Sequence, residues 1–249
     1  MSNANRLLVK NKKKFSKNYN KIPSFNGKLV GNLEINEYVK EKVNSQDLSF
    51  LANYYITDKG NKYGKAHNYV LHYQKHFDKI KDNKLNILEI GIAAGSSLKM
   101  WSSYFPNSTI YGIDINPECL KIESLKTEDF QNVKLLIGDA SEYDFKDIKF
   151  DIIIDDGSHL PVDIISTYKN LSQNLNEEGI YVIEDLKTCE SKGYILALKK
   201  IKQEFKDMTN EKFVELNSKE SLISFLNNIQ ENKTVSHYNN DKSEIAFIY

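Results

Sequence analysis

The feature that most constrains this 249-residue chain is an alternation, from Leu85 onward, of short β-branched runs with longer stretches that repeat at helical spacing. The runs are Asn86 to Ile90, Thr109 to Ile113, Val133 to Ile137, Asp151 to Ile154 and Ile180 to Ile183. Leu98, Trp101 and Phe105 follow the first run, and Ile165, Tyr168, Leu171 and Leu175 follow the fourth, each at a helical period that covers a sheet face. Such alternation means βαβ units and a parallel sheet. Val235 to Tyr238 and Glu244 to Tyr249, separated by Asn239 to Lys242, read as a closing hairpin. The pattern therefore predicts an α/β, doubly wound sheet of seven strands, mostly parallel. Two helices precede it, over Tyr38 to Ile56 and around Tyr69, Tyr73, Phe77 and Ile80, joined by a polar turn that begins at Thr57-Asp58-Lys59-Gly60. Two more, Tyr194 to Phe205 and Lys219 to Ile229, lead into the hairpin. No internal repeat is visible. The expected organisation is an N-terminal arm and helices forming a lid over 1–80 and one ligand-binding domain over 81–249.

Charge limits the partners. Lys+Arg and Asp+Glu number 34 each, so the chain carries no net field that would gather nucleic acid or an anionic membrane. Arg6 is the only arginine, and no guanidinium fork is available to clamp an anion in the interior. Lys10, Lys12, Lys13, Lys14, Lys17 and Lys21 stand among Asn and Ser and read as a solvated arm. Cys119 and Cys189 lack metal-ligand spacing and any disulfide framework, and the N-terminus is polar, so a cytoplasmic protein without a membrane span is expected. An assembly of identical chains is compatible with the sequence.

The first strand runs into Leu88-Glu89-Ile90-Gly91-Ile92-Ala93-Ala94-Gly95-Ser96-Ser97, the place where a doubly wound sheet grips a nucleotide-like ligand. Gly91 and Gly95 allow a tight turn and a close approach, and Ala93 and Ala94 leave the backbone uncovered. The spacing is Gly-x-x-x-Gly; the middle glycine that admits a pyrophosphate is missing, which counts against a dinucleotide. Asp114 ends the second run, where a carboxylate can accept hydrogen bonds from both ribose hydroxyls, with Ile115 beside it. Asp139 and Ala140 follow the third run, at the height expected for an adenine amino group; helix capping is the plainer reading of either acid. Glu89, Gly91 and Gly95, then Asp114, then Gly138 and Asp139 resemble the successive motifs of class I methyltransferases. That resemblance implies a Rossmann-like fold and S-adenosylmethionine as cofactor, held by Glu89, Gly91, Gly95, Ser96, Asp114, Ile115, Asp139, Ala140, Asp155 and Lys59.

Two further strands deliver acids at their carboxyl ends: Asp155, Asp156 and His159 after the fourth, Glu184 and Asp185 after the fifth. On neighbouring strands, about 4.8 Å apart, Asp156, Glu184 and Asp185 can converge, and so much negative charge asks for a hard cation such as Mg²⁺. Ile154-Asp155-Asp156-Gly157-Ser158-His159 and Val182-Ile183-Glu184-Asp185-Leu186 resemble the metal-dependent sugar O-methyltransferases of macrolide biosynthesis, and the cephalosporin hydroxylase-like branch is similar. The resemblance implies that Asp156, Glu184 and Asp185 bind Mg²⁺ and that His159, with Asp156, is catalytic, His159 as general base. Thr57-Asp58-Lys59-Gly60 and His67 match that family's N-terminal signature. The chain is shorter than the macrolide enzymes, and compact relatives of this length resemble methyltransferases of surface-polysaccharide genes. His72, His76 and His237 read as surface or core residues. The expected function is methylation of a sugar or sugar-linked hydroxyl, including capsule glycans and a phosphoramidate-type group. The small-molecule or glycan acceptor is left open. A nicotinamide-dependent oxidoreductase acting on a nucleotide-sugar and a non-catalytic S-adenosylmethionine-binding module remain as alternatives. The glycine spacing weighs against the first and the intact acids against the second.

Overall fold

Five strands pair in parallel: β1 (Asn86–Ile90), β2 (Thr109–Asp114), β3 (Val133–Ile137), β4 (Phe150–Asp155) and β5 (Leu175–Ile183). A hairpin of β6 (Val235–Asn239) and β7 (Glu244–Ile248) completes a seven-stranded sheet in the order β3-β2-β1-β4-β5-β7-β6, with β7 antiparallel to both neighbours. The computed structural model describes residues 46–62, 67–188, 217–240 and 243–249, to which the architecture refers. The lysine arm, the start of the first expected helix, the stretch 194–205 and Cys189 lie outside the described residues.

Strand order reverses between β1 and β4, the point at which a doubly wound sheet takes its ligand at the carboxyl ends of the strands. The register sets what stands there. Ile90 pairs with Asp155, and Asp155 with Ile183. The ladder continues one step beyond, with Asp156 N–H donating to Ile90 O and Glu184 N–H to Asp155 O, both at 3.0 Å. Asp156 and Glu184 are thereby brought to the same level on adjacent strands. The apolar runs of β4 and β5 fix this register, because Ile152, Ile153, Ile154, Val182 and Ile183 are all fully buried and a slip by one residue would exchange the two packed faces.

The described helices are α1 (Leu48–Tyr54), α2 (Val70–Phe77), α3 (Ser96–Tyr104), α4 (Pro161–Leu171) and α5 (Lys219–Gln230). Asp47 caps α1 by accepting from Phe50 N–H at 3.0 Å, and Ser218 caps α5 by accepting from Ser221 N–H at 3.1 Å. Helix α4 opens with Pro161, whose missing N–H costs nothing in a first turn. One face of the sheet packs Leu51, Tyr73, Phe77, Trp101, Phe105 and Phe247; the other packs Ile164, Leu171, Tyr181, Ile183, Leu222 and Ile248. Among the described residues no helix is long and apolar enough to cross a membrane.

Two local features depart from the alternating pattern. Between β2 and β3 the chain makes three 3-10 turns, Pro117–Lys121, Glu123–Leu125 and Glu128–Phe130. This link buries only Cys119, Leu125 and Phe130 as apolar anchors, too few for the stripe of an amphipathic helix. Strand β5 also begins at Leu175, five residues before the apolar run at Ile180, through a pairing of Leu175 with Phe150 and a register shift before Ile152.

His76 ties α2 to the C-terminal hairpin. Its Nε2 lies 2.9 Å from the Tyr238 hydroxyl, its Nδ1 meets the Tyr249 hydroxyl, and its ring stacks on Phe247 at 4.0 Å. Burial, with Lys75 and His72 adding repulsion, lowers its pKa to about 4. The folded chain therefore resists a proton that the unfolded chain accepts, and stability present above pH 6.5 is lost as pH falls toward 4. Thermal melts across this interval are expected to show that loss, and His76→Gln should make the curve shallower; an unchanged slope would contradict the assignment.

Candidate active site

Lys59, in the turn between α1 and α2, has a side chain 1% exposed, and its ammonium lies between acids delivered by three neighbouring strands. It donates to Asp156 Oδ2 at 2.6 Å and Glu184 Oε1 at 2.7 Å, and stands 3.5 Å from Glu89 Oε1. Burial opposes its charge, but Asp156, Glu184 and Glu89 outweigh that and hold its pKa well above the usual lysine value. The Tyr73 hydroxyl donates to the same Glu184 oxygen. Glu89 is fully buried, and besides Lys59 it accepts from Ser97 Oγ at 2.7 Å and Trp101 Nε1 at 3.2 Å. Both partners lie on α3, so this carboxylate ties the helix to the strand that precedes it.

Asp156, His159 and Asp185 offer ligand atoms that all lie within 4.8 Å of one another, each side chain half-buried. His159 Nε2 is 3.6 Å from Asp185 Oδ2 and 4.0 Å from Asp156 Oδ1. On the far side of Asp185, His67 Nδ1 lies 3.4 Å from Oδ1, which also accepts from the Tyr69 hydroxyl at 2.8 Å. Burial would raise the Asp185 pKa, yet His159, His67 and Tyr69 hold it below the ordinary carboxylate value. His159 and Asp185 both adopt left-handed backbone, with φ of 57° each, a conformation that costs a non-glycine residue about 1–3 kcal/mol and is held by the packing around it. Glu184, expected as a metal ligand, is 2% exposed and has one oxygen engaged by Lys59 and Tyr73.

The glycine loop lies beside this cluster. Gly91 N–H donates to Ile113 O at 2.9 Å, and Gly138 N–H to Asp114 O at 3.0 Å, so the ends of β1, β2 and β3 are contiguous. Asp114 Oδ2 accepts from Ile92 N–H at 2.9 Å and Ala93 N–H at 3.4 Å, while Oδ1 accepts from Asn116 N–H at 2.8 Å. Ala93 and Ala94 are exposed, Gly95 at φ 77° precedes α3, and Ser96 and Ile115 are half-buried at the same edge. Asp139 Oδ1 accepts from Ser141 N–H at 3.0 Å and Ser141 Oγ at 2.7 Å, an Asx turn with no helix after it, and Ala140 is buried with its carbonyl held by Asn170 at 2.9 Å. Asp155, 5% exposed, accepts from Gly157 N–H at 3.3 Å, and burial pushes its carboxyl up to about 7. Of the residues expected at a cofactor, Glu89, Lys59, Asp155, Gly95 and Ala140 are buried, whereas Gly91, Ser96, Asp114, Ile115 and Asp139 are half-buried at or just after the carboxyl ends of β1, β2 and β3.

Tyr69 and Tyr73 were legible in the sequence only as apolar helix positions four apart, and Trp101 only as core. Their polar atoms serve Asp185, Glu184 and Glu89. The signal that could have found them is a hydroxyl or indole N–H on the helix face turned toward strands that end in acids.

A parallel sheet reversed between β1 and β4, an antiparallel hairpin at one edge, a glycine turn after β1 and an acid closing β2 define the class I methyltransferase fold. Residues 81–242 match the methyltransferase domain family, and the chain belongs to it. Mycinamicin VI 2''-O-methyltransferase of Micromonospora griseorubida is 34% identical over 161 residues, which take in 59% of this chain and 38% of that protein. The 8-demethyl-8-alpha-L-rhamnosyl tetracenomycin-C 2'-O-methyltransferase of Streptomyces olivaceus is 31% identical over 156 residues, 57% of this chain and 39% of that one. The chain therefore spans about two fifths of the length of these curated relatives. The structure of MycE methyltransferase from the mycinamycin biosynthetic pathway, in complex with Mg, SAH and mycinamycin VI, is similar with a TM-score of 0.59 at 28% identity. That similarity covers 81% of this chain and 54% of MycE.

Gly91 is where the loop and the acidic cluster touch. It has φ +93°, and a Cβ there would lie 2.2 Å from the Asp156 carbonyl oxygen. Gly157, by contrast, would place a Cβ no nearer than 3.3 Å to a side chain. Gly91→Ala is expected to destabilise the protein by at least about 2 kcal/mol in denaturant unfolding, from left-handed strain together with backbone overlap. Gly157→Ala should cost clearly less, and equal effects would contradict this close approach.

Proposed function

We propose that the protein transfers the methyl group of S-adenosylmethionine to a hydroxyl of a sugar or sugar-linked group, with a hard divalent ion such as Mg²⁺ at the acidic cluster. The observation that carries the reading is the convergence of Asp156, His159 and Asp185 within 4.8 Å at the carboxyl ends of β4 and β5, next to the glycine loop. The acids of the cluster suit such an ion, being carboxylates with no thiolate among them, and His159 stands beside them as a base. MycE, similar in fold and in sequence, was solved with Mg and SAH, and the named relatives methylate sugar hydroxyls.

In this reading Gly91, Gly95 and Ser96 lie along the cofactor's amino-acid end, Asp114 and Ile115 along its ribose, and Asp139 and Ala140 along its adenine. Glu89 and Asp155 hold the loop from inside. Asp156, Glu184 and Asp185 would hold the ion, which when bound would supply Lewis-acid activation of an acceptor hydroxyl. The sulfonium methyl is already activated, so what remains for the protein is alignment and removal of one proton. His159 takes that proton at Nε2, which stands 4.0 Å from Asp156 Oδ1 and 3.6 Å from Asp185 Oδ2. Of the lid expected over residues 1–80, the described part brings Lys59, His67, Tyr69 and Tyr73 to the acids. The acceptor we favour is a glycan of the cell surface, including capsule sugars and their phosphoramidate groups, met by a cytoplasmic enzyme.

Calorimetric titration with S-adenosylmethionine and, in parallel, NAD⁺ tests the cofactor. Saturable binding of the first alone, abolished in Asp114→Ala, is expected, and the reverse preference would overturn the proposal in favour of an oxidoreductase. His159→Ala should lower turnover about 10²–10⁴-fold with cofactor affinity unchanged, the range for loss of a general base. Normal turnover in that variant would remove His159 from the role.

A further inference from the structure

We propose that Lys59 is a built-in cation that sets how tightly this site takes its divalent ion, holding the carboxylates assembled before the ion arrives and opposing it electrostatically afterwards. The inference rests on the reading of the acidic cluster as a metal centre. Lys59 is 1% exposed, and its ammonium contacts Asp156 Oδ2 at 2.6 Å and Glu184 Oε1 at 2.7 Å, with Glu89 Oε1 at 3.5 Å. Glu89 and Glu184 are 0% and 2% exposed, so neither has water to stabilise its charge. A lysine at such a place acts as a counter-ion: without it, acids from three adjacent strand ends would repel one another in a low dielectric.

The division of oxygens gives the site its logic. Asp156 turns Oδ2 to Lys59, and its other oxygen, Oδ1, lies 4.0 Å from His159 Nε2 in the cluster with Asp185. One carboxylate therefore stands between two cation positions, the fixed ammonium on one side and the ligand cluster on the other. Glu184 also commits one oxygen, Oε1, to Lys59 and Tyr73. Lys59 thus fixes the aim of Asp156 and Glu184 and also puts a positive charge within a few ångströms of wherever a divalent ion would sit. The second effect is the larger, because fixed like charges at that range interact strongly in a buried site, whereas aiming the two carboxylates saves only side-chain entropy. Lys59 is a positioning residue in this account and takes no proton from the acceptor.

The test compares the full chain with Lys59→Met, which keeps an unbranched side chain, one atom shorter, and removes the charge, by Mg²⁺ calorimetry and by thermal melts with and without Mg²⁺. The expected result is a lower melting temperature without the ion, a Kd for Mg²⁺ at least tenfold lower than in the unaltered protein, and a larger rise in melting temperature on adding Mg²⁺. A merely structural lysine would lower both melts equally and leave the Kd unmoved, and that result, or weaker binding, would overturn the inference. Failure of the unaltered protein to bind Mg²⁺ would instead overturn the metal reading, and the inference with it. Should Lys59→Met not fold even with the ion, Lys59→Gln, which keeps a donor for the carboxylates, is judged by the same criteria.

Discussion

One buried ammonium between acids from three neighbouring strands organises this molecule. Lys59 meets Glu89 on β1, Asp156 after β4 and Glu184 after β5, and each contact passes the constraint on. Glu89 binds Ser97 and Trp101, which seats α3 and so fixes the glycine loop between strand and helix. Glu184 receives Tyr73 from α2, and the next residue, Asp185, receives Tyr69 from just before it. Such a cluster is weak evidence of stability, since burying charge is costly even when it is paired. The same contacts, with those of Tyr69 and Tyr73, join the segment around α1 and α2 to the ends of β1, β4 and β5.

Much of this was legible in the sequence, for identifiable reasons. Apolar strands buried on both faces leave continuous β-branched runs, so β1 to β4 could be placed within a residue or two. Parallel strands all end at the same edge, so acids written after the fourth and fifth runs had to meet if those strands were neighbours, and the register of Asp155 with Ile183 makes them so. The Gly91 and Gly95 turns were marked by residues that tolerate positive φ, which both adopt.

What stayed hidden depends on contacts that periodicity does not encode. The helical spacing of Tyr69, Tyr73 and Phe77 cannot distinguish a ring packed in the core from one whose hydroxyl reaches past it to a carboxylate. Phe77, four residues on from Tyr73, repeats the spacing with no hydroxyl to offer. Lys59 sits in a polar turn whose composition says only that the chain bends, and its partners lie 97 and 125 residues away. The insertion of β7 between β5 and β6 is a matter of long-range pairing. The left-handed backbone of His159 and Asp185 is equally silent in sequence, and both residues stand at the cluster, where stored strain accompanies a defined side-chain aim.

The central claim is that acids at the ends of β4 and β5, beside a class I methyltransferase cofactor loop, make an ion-assisted O-methylation site. Its most direct test is transfer of a ¹³C-labelled methyl group from S-adenosylmethionine to a panel of deoxysugar and hexose glycosides, followed by NMR, with Mg²⁺ present and again after chelation. The account predicts a new O-methyl resonance on a sugar carbon that vanishes on chelation and returns with added Mg²⁺. Methyl transfer of undiminished rate in the chelated protein, or a label that appears on nitrogen or carbon instead of oxygen, would contradict it.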